Sequence, residues 1–299
     1  MITLGVAAGH VKLPSHIEPL LRVPSDVLRS ITLGSYTLEP RTGNPGNPFW
    51  TDERSKPASI NALGLPNPGI ERASAYFYEM AERTRESGKL FRISLAGFTP
   101  REYRELARKS LGIRPCELEL NLGCPNVWDG GSQKRITSFV PELIKETLEE
   151  VYDVTDHVGA PSIAVKLSVY SDPFLLEVVA EILTEMSHAF QTLVVCNTFP
   201  NATGYTADGR TVIDAAEGYG GLAGSPLKHI ALGQVRSFRR LLPHTIDIVG
   251  VGGIMSGVDV RDMELAGASS VQVGTAYFEH ADPGVFVGIM EEYAMLCEN

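Results

Sequence analysis

Short apolar or β-branched runs alternate along the chain with longer stretches whose apolar residues recur at helical spacing. The runs predict eight strands, at 2–7, 31–37, 90–95, 116–120, 162–167, 192–196, 246–249 and 269–273. Eight strands, each followed by a helix and without a Pro/Ser-rich linker, predict an α/β fold in which residues 1–299 form one (β/α)₈ TIM barrel. A doubly wound parallel sheet is the alternative.

Three helix starts carry an N-cap residue followed by proline: Thr99-Pro100, with Glu102 completing a capping box, Asp172-Pro173 and Asp282-Pro283. Two connections, 38–69 after the second strand and 197–225 after the sixth, are too long for plain βα turns. Long ordered loops in compact domains are usually functional. In a barrel both loops would lie on the top face, where they could cover a ligand.

Composition narrows the function classes. Lys and Arg number 26 against 36 Asp and Glu, a formal net charge of −10 that disfavours binding to nucleic acid or anionic lipid. No apolar run is long enough to span a bilayer. The four cysteines, which lie far apart without a CxxC pair, are Cys116, Cys124, Cys196 and Cys297. Their spacing argues against a zinc knuckle and an internal iron–sulfur cluster, and we expect no metal site. Free cysteines of this kind fit the reducing cytoplasm.

Polar side chains follow several predicted strands, which is where barrels carry their functional groups. An asparagine offers both a donor and an acceptor, and so complements the edge of a planar imide or pyrimidine. Taken singly, each asparagine is more often a turn residue, and a lone cysteine is more often a small buried hydrophobe. The set comprises Asn61, Asn121, Cys124, Asn126, Lys166 and Asn197.

Glycines follow the last two predicted strands. Gly252-Gly253 and Gly274-Thr275 would let backbone N–H groups approach a phosphate, and barrels commonly build a phosphate site after the seventh and eighth strands. One glycine pair is a weak signal, because glycine also serves plain turns. Two pairs at these two strands favour phosphate binding.

The runs INALGLPNPG, LNLGCPN, VKL, CNT, GGLAGSPLKHIALGQVRSF, VGVGGIMSG and GASSVQVGTA, in this order, resemble the dihydroorotate dehydrogenase family. The resemblance implies a flavoprotein barrel that binds FMN and oxidises dihydroorotate to orotate in pyrimidine biosynthesis. A cysteine rather than a serine at the position of the base, with no N-terminal membrane extension, is similar to the soluble class 1 enzymes. In that class a homodimer that uses fumarate and a hand-off to a separate iron–sulfur subunit both occur, so the electron acceptor stays open.

The resemblance also implies roles for individual residues. Cys124 would be the base that takes a proton from the substrate C5 while hydride leaves C6 for the flavin, and Lys166 would lie near the flavin N1 and C2 carbonyl. Substrate contacts would come from Asn61, Leu63, Gly64, Leu65, Asn121, Asn126, Asn197 and Thr198. Cofactor contacts would come from Ala8, Gly9, Asn61, Asn121, Lys166, Asn197, Gly221, Gly252, Gly253, Gly274 and Thr275.

Departures from the family pattern concern the substrate more than the flavin. Gly34 stands where the family has a lysine that touches flavin and substrate, Gly123 and Thr198 stand at serine positions, and the segment after Asn197 differs. We therefore expect either a compensating basic residue or poor activity on dihydroorotate, and a gain from Gly34→Lys would support the importance of the missing cation. The nearest candidates in sequence are Lys12, Arg29 and Arg41. The alternatives are a paralogue that acts on another small cyclic compound and a non-catalytic ligand-binding barrel.

Overall fold

The computed structural model describes residues 2–52, 57–129, 131–278 and 281–298. The strands are β1 (Thr3–Val11), β2 (Ser30–Tyr36), β3 (Phe49–Asp52), β4 (Ala58–Asn61), β5 (Leu90–Leu95), β6 (Glu117–Asn121), β7 (Trp128–Asp129), β8 (Ser132–Gln133), β9 (Ser162–Lys166), β10 (Thr192–Val195), β11 (Phe199–Ala202), β12 (Gly220–Gly224), β13 (Asp247–Val251) and β14 (Ser270–Val273). The helices are α1 (Pro14–Leu21), α2 (Ile70–Glu86), α3 (Pro100–Leu111), α4 (Pro141–Thr155), α5 (Pro173–Glu185), α6 (Lys228–Leu241), α7 (Gly257–Ala266), α8 (Thr275–Phe278) and α9 (Gly284–Cys297).

Eight of the strands close into a parallel barrel in the order β1-β14-β13-β10-β9-β6-β5-β2. They are the eight strands that the hydrophobic pattern predicts, so the (β/α)₈ prediction is confirmed and the doubly wound alternative is wrong. Their bounds agree with the prediction to within two residues, except that β1 continues to Val11 rather than ending at residue 7.

Alternate strand residues face two different apolar layers, as the two-residue period of a strand requires. Ile163 and Val165 belong to the large cluster that the strands share with the surrounding helices, whereas Ala164 between them belongs to a small separate cluster. That inner cluster consists of short side chains: Ala7, Ala164, Val194, Val249 and Val251. Short residues there leave space inside the upper barrel.

The two long top-face connections fold together into a second sheet, which the sequence pattern did not predict. Its order is β11-β12-β4-β3, so a strand of the 197–225 connection pairs with one of the 38–69 connection. The pairing is antiparallel, with Gly221 opposite Asn61 and Gly224 opposite Ala58. Asn61 and Thr198 are thereby held above the barrel mouth by one structure rather than by two loose loops.

Two of the predicted helix caps form as expected. Thr99 accepts a hydrogen bond from the Glu102 N–H at 3.2 Å, and Asp172 accepts one from the Phe174 N–H at 2.9 Å. The third differs, because helix α9 begins at Gly284 with Pro283 in the capping position, although Asp282 still accepts from the Gly284 N–H at 2.9 Å.

Candidate active site

One large cavity opens at the carboxyl ends of the barrel strands, beneath the second sheet, with a volume of about 1120 Å³ including its mouth. All the site residues predicted from the sequence except Gly221 line it: Ala8, Gly9, Asn61, Leu63, Gly64, Leu65, Asn121, Cys124, Asn126, Lys166, Asn197, Thr198, Gly252, Gly253, Gly274 and Thr275. Gly221 is not among the lining residues. It packs instead against Thr198, whose Oγ1 would lie 2.0 Å from a Cβ at that position.

A chain of hydrogen bonds runs beneath the cavity from one strand end to the next. The Asn197 side-chain amide donates to Asn121 Oδ1 at 2.9 Å, and Asn121 Nδ2 donates to Ser35 Oγ at 2.8 Å. Ser35 and Ser94 share a hydrogen bond of 2.9 Å, and the Ser94 hydroxyl donates to Glu119 at 3.0 Å. These hydrogen bonds hold each side-chain amide in a defined orientation. A fixed orientation is needed if the amides are to recognise donors and acceptors on a ligand.

The chain ends in a buried ion pair. Lys166 Nζ lies 3.6 Å from Glu119 Oε1, with side chains 6% and 1% exposed. Gln272 Nε2 donates to the other Glu119 oxygen at 3.4 Å. Lys166 lines the cavity, whereas Glu119 does not. Glu119 therefore balances the charge of Lys166 from inside the barrel.

Two further asparagines are coupled across the mouth. Asn126 Nδ2 donates to Asn61 Oδ1 at 2.6 Å, and Asn61 Nδ2 donates to the Gly221 carbonyl at 3.4 Å. The Asn44 side chain donates to the Asn126 carbonyl at 2.9 Å and so fixes the turn that carries it. Both amides are positioned by the second sheet and the turn after β6.

Cys124 lies in that turn and is half-buried. Burial raises the pKa of the thiol, while the Asn126 backbone N–H and the positive charges of Lys12, Lys166 and Arg41 favour the thiolate. A free thiol among neutral amides and nearby cations can act as a proton acceptor once it ionises.

Of the three basic candidates for a compensating cation, the structure brings Lys12 to the cavity. It lines the cavity, and its Nζ donates to the Pro66 carbonyl at 2.8 Å. Val11, the last residue of β1, pairs with Leu33, the residue before Gly34. The other two candidates do not line the cavity: Arg29 donates to the Gly88 carbonyl, and Arg41 donates to the Gly64 carbonyl.

The backbone at Gly34 disfavours a lysine, so we expect strain rather than a gain from Gly34→Lys. Gly34 has φ +111°, and a Cβ there would lie 2.5 Å from the Ser94 carbonyl oxygen. Gly123 is equally constrained, because its Cβ would lie 2.4 Å from the Ser168 backbone nitrogen. At both positions a side chain would meet backbone atoms of a neighbouring segment.

The cavity also includes His10 and Lys12, which lie beyond the end of the predicted first strand. The predicted first strand stops at residue 7, while the observed β1 carries the chain to Val11 and brings both side chains to the cavity. His10 packs on Phe278 at a ring-centroid distance of 4.3 Å. Burial and the Lys12 charge lower its pKa to about 3, so His10 is neutral at pH 7.

Several polar atoms at the cavity have no protein partner in the described part of the chain. Three buried side-chain atoms are of this kind: His10 Nδ1, Thr198 Oγ1 and Gln272 Oε1. The backbone N–H groups of Gly252, Gly253 and Gly274 likewise donate to no acceptor among the described residues. Buried polar groups are normally satisfied. The cavity therefore presents unpaired donors and acceptors that a polar ligand with an anionic end would satisfy.

No set of three or more His, Cys, Asp or Glu side chains among the described residues could hold a metal ion. No helix in the described part of the chain combines the length and apolar character needed to cross a membrane.

A closed parallel barrel whose functional side chains and unpaired amides meet at its strand ends is the arrangement of a (β/α)₈-barrel enzyme. The family model for dihydroorotate dehydrogenase matches residues 3–296. "Dihydroorotate dehydrogenase A (fumarate)" of Lactococcus lactis subsp. cremoris is 32% identical over 282 residues, covering 92% of this chain and 85% of that protein. "Probable dihydroorotate dehydrogenase A (fumarate)" of Streptococcus pneumoniae serotype 4 is 33% identical over 264 residues, covering 87% and 78%.

Among solved structures, the crystal structure of DHODH from Eimeria tenella in complex with ferulenol superposes with a TM-score of 0.77. It covers 97% of this chain and 80% of that one at 19% identity, a level at which it supports the fold alone. The chain belongs to the dihydroorotate dehydrogenase family, and the resemblance to class 1 is confirmed. It is a flavin-dependent oxidoreductase that acts on a CH–CH bond.

Proposed function

We propose that this protein oxidises dihydroorotate to orotate with FMN as its cofactor. The observation that carries the proposal is the placement of the Cys124 thiol in the same cavity as the linked amides of Asn61, Asn121, Asn126 and Asn197. The amides match the alternating C=O and N–H edge of a pyrimidine ring. The thiol supplies the base that removal of a ring proton needs.

In the proposed reaction the Cys124 thiolate accepts the proton from C5 of the substrate. A flavin bound in the cavity would supply the redox chemistry, as the acceptor of the hydride from C6. The C5–H and C6–H bonds break and a C5=C6 double bond forms, so two electrons and one proton leave with the hydride and the second proton stays on sulfur. The asparagines orient the ring so that C5 faces Cys124.

We assign the cofactor as FMN from the distribution of donors in the cavity. The free N–H groups of Gly252, Gly253 and Gly274 would bind the phosphate, and Lys166 would stabilise negative charge on the reduced ring. No further glycine fingerprint for an adenosine half follows these turns. Cofactor released by denaturation is expected to chromatograph as FMN, and recovery of FAD would contradict the assignment.

The test of the substrate is anaerobic reduction of the bound flavin, followed by its absorbance. Dihydroorotate is expected to bleach the flavin rapidly, and dihydrouracil, which lacks the carboxylate, much more slowly. Rapid bleaching by another dihydropyrimidine and not by dihydroorotate would favour the paralogue. A protein that takes up no flavin would favour the non-catalytic barrel.

The remaining expectations about partners and compartment stay predictions. Fumarate is the proposed acceptor, supported by the names of the relatives from Lactococcus and Streptococcus. A homodimer, with a separate electron-transfer subunit as the alternative, and a cytoplasmic location complete the proposal. Oxidation of the reduced protein by fumarate, monitored as return of flavin absorbance, tests the acceptor.

A further inference from the structure

Lys12 is held at the cavity by its neighbours on both sides. Its backbone carbonyl accepts hydrogen bonds from the hydroxyls of Tyr36 at 2.9 Å and Tyr76 at 3.1 Å. Its Nζ donates to the Pro66 carbonyl at 2.8 Å, and no other acceptor for it is found among the described residues. The ammonium is therefore fixed in place with two of its three N–H groups available.

The charge of Lys12 is not balanced by the protein. The cavity lining includes no aspartate or glutamate within the described ranges, and the other lining lysine, Lys166, is already paired with Glu119. No carboxylate lies within 4.0 Å of Lys12 in the described part of the chain. Burial lowers its pKa to about 8, and the Cys124 thiolate opposes this change. A buried cation with only a neutral acceptor is costly unless a ligand supplies the opposite charge.

The segment beside Lys12 offers backbone donors as well. Its consecutive carbonyls, 62–66, all accept hydrogen bonds from protein donors, which are the Asn44 side chain, the Asn44 N–H, Arg41, Asn67 and Lys12. The N–H groups of the cavity-lining residues 63–65 donate to no acceptor in the described chain. The carbonyl groups of residues 62–66 are thus already hydrogen-bonded, whereas the three N–H groups of residues 63–65 remain available beside the Lys12 ammonium.

We propose that Lys12 selects ring substrates that carry a carboxylate, which it binds beside the N–H groups of Leu63, Gly64 and Leu65, residues that the family resemblance already assigns to the substrate. The inference rests on the proposed function and deepens it, because it names the residue that distinguishes an anionic ring from a neutral one. The asparagines then recognise the C=O and N–H groups of the ring, and Lys12 recognises the negative charge of its carboxylate. Lys12 is a specificity-determining residue, while Cys124 remains the base.

The experiment compares two ligands on the flavin-loaded protein by titrating the flavin absorbance. Orotate carries the carboxylate and uracil is the same ring without it. A charge-assisted hydrogen bond corresponds to roughly 10- to 100-fold in a dissociation constant. Lys12→Met is expected to weaken orotate binding by about that factor and to change uracil binding by less than about twofold, while Lys12→Arg retains most of the orotate affinity.

Lys109→Met, which removes a surface lysine paired with Glu71, is the matched control and is expected to bind both ligands like the parent. Lys12→Gln serves as a second variant if Lys12→Met loses its flavin. Equal losses for orotate and uracil, or unchanged orotate binding, would overturn the inference, as would a parent that binds orotate no better than uracil. A parent that prefers orotate through Lys12 but is not reduced by dihydroorotate would contradict only the proposed function.

Discussion

Glu119→Gln removes the charge that balances Lys166 inside the barrel. The two charged atoms lie 3.6 Å apart, and the side chains are 1% and 6% exposed. At an effective dielectric constant of about 20, Coulomb's law gives about 5 kcal/mol for unit charges at this distance. Breaking a buried pair on one side typically costs about 3–5 kcal/mol, because the remaining charge stays uncompensated. We expect the free energy of unfolding to fall by about 3–5 kcal/mol.

Glutamine keeps one oxygen that can accept from the Ser94 hydroxyl, while its NH2 group replaces the oxygen that accepts from Gln272 at 3.4 Å. The loss therefore reports the charge together with this one long hydrogen bond. The assay is urea unfolding without added flavin, followed by far-ultraviolet circular dichroism. Combining Glu119→Gln with Lys166→Met completes a double-mutant cycle, in which residues that interact give non-additive changes. Glu71→Gln, at an exposed pair, is the control and should leave the stability near that of the parent. A Glu119→Gln loss below about 1 kcal/mol, or strictly additive changes, would refute the reasoning.

Three further predictions concern the cavity. Cys124→Ala should slow flavin reduction by dihydroorotate by ~10²–10⁴-fold with flavin still bound. Since burial raises the pKa of the Cys124 thiol, the parent rate should still rise with pH above the usual thiol range, a rise that stopped-flow kinetics should not find in the variant. Orotate affinity should fall as pH increases through about 8, where free Lys12 loses its proton, and a flat titration from pH 7 to 10 would argue against a charged Lys12. Gly34→Lys should lower the unfolding midpoint rather than improve catalysis, since a strained backbone position costs roughly 1–3 kcal/mol before the contact with Ser94 is counted. A stable Gly34→Lys protein with higher activity would contradict that account.

The local pattern of apolar and polar residues determined the barrel strands and many of the residues at their ends. Parallel strands covered by helices give continuous apolar runs, so all eight barrel strands could be located from the sequence. Polar residues directly after those runs, such as Asn121 and Lys166, were assigned to the barrel mouth because the carboxyl ends of all parallel strands share one face. The family resemblance added roles that no spacing implies, such as Cys124 as the base.

Pairings between distant segments were decided only by the tertiary structure. Strand β4 pairs with β12, which is about 160 residues away, so the second sheet left only short and irregular local signals. Ser94 and Glu119 lie inside predicted strands without any local signal of function, and their role beneath Asn121 and Lys166 depends on the closure of the barrel.

The contrast is clearest at Gly34 and Lys12. The sequence showed that a basic residue was missing at Gly34, but not that a side chain there would meet the Ser94 carbonyl at 2.5 Å. Nor could it choose between Lys12, Arg29 and Arg41, because the choice depends on how far β1 extends beyond residue 7. Hydrophobic periodicity indicates which residues are buried. The position of a charged side chain relative to the cavity depends instead on strand register and barrel closure, which exist only in the folded chain.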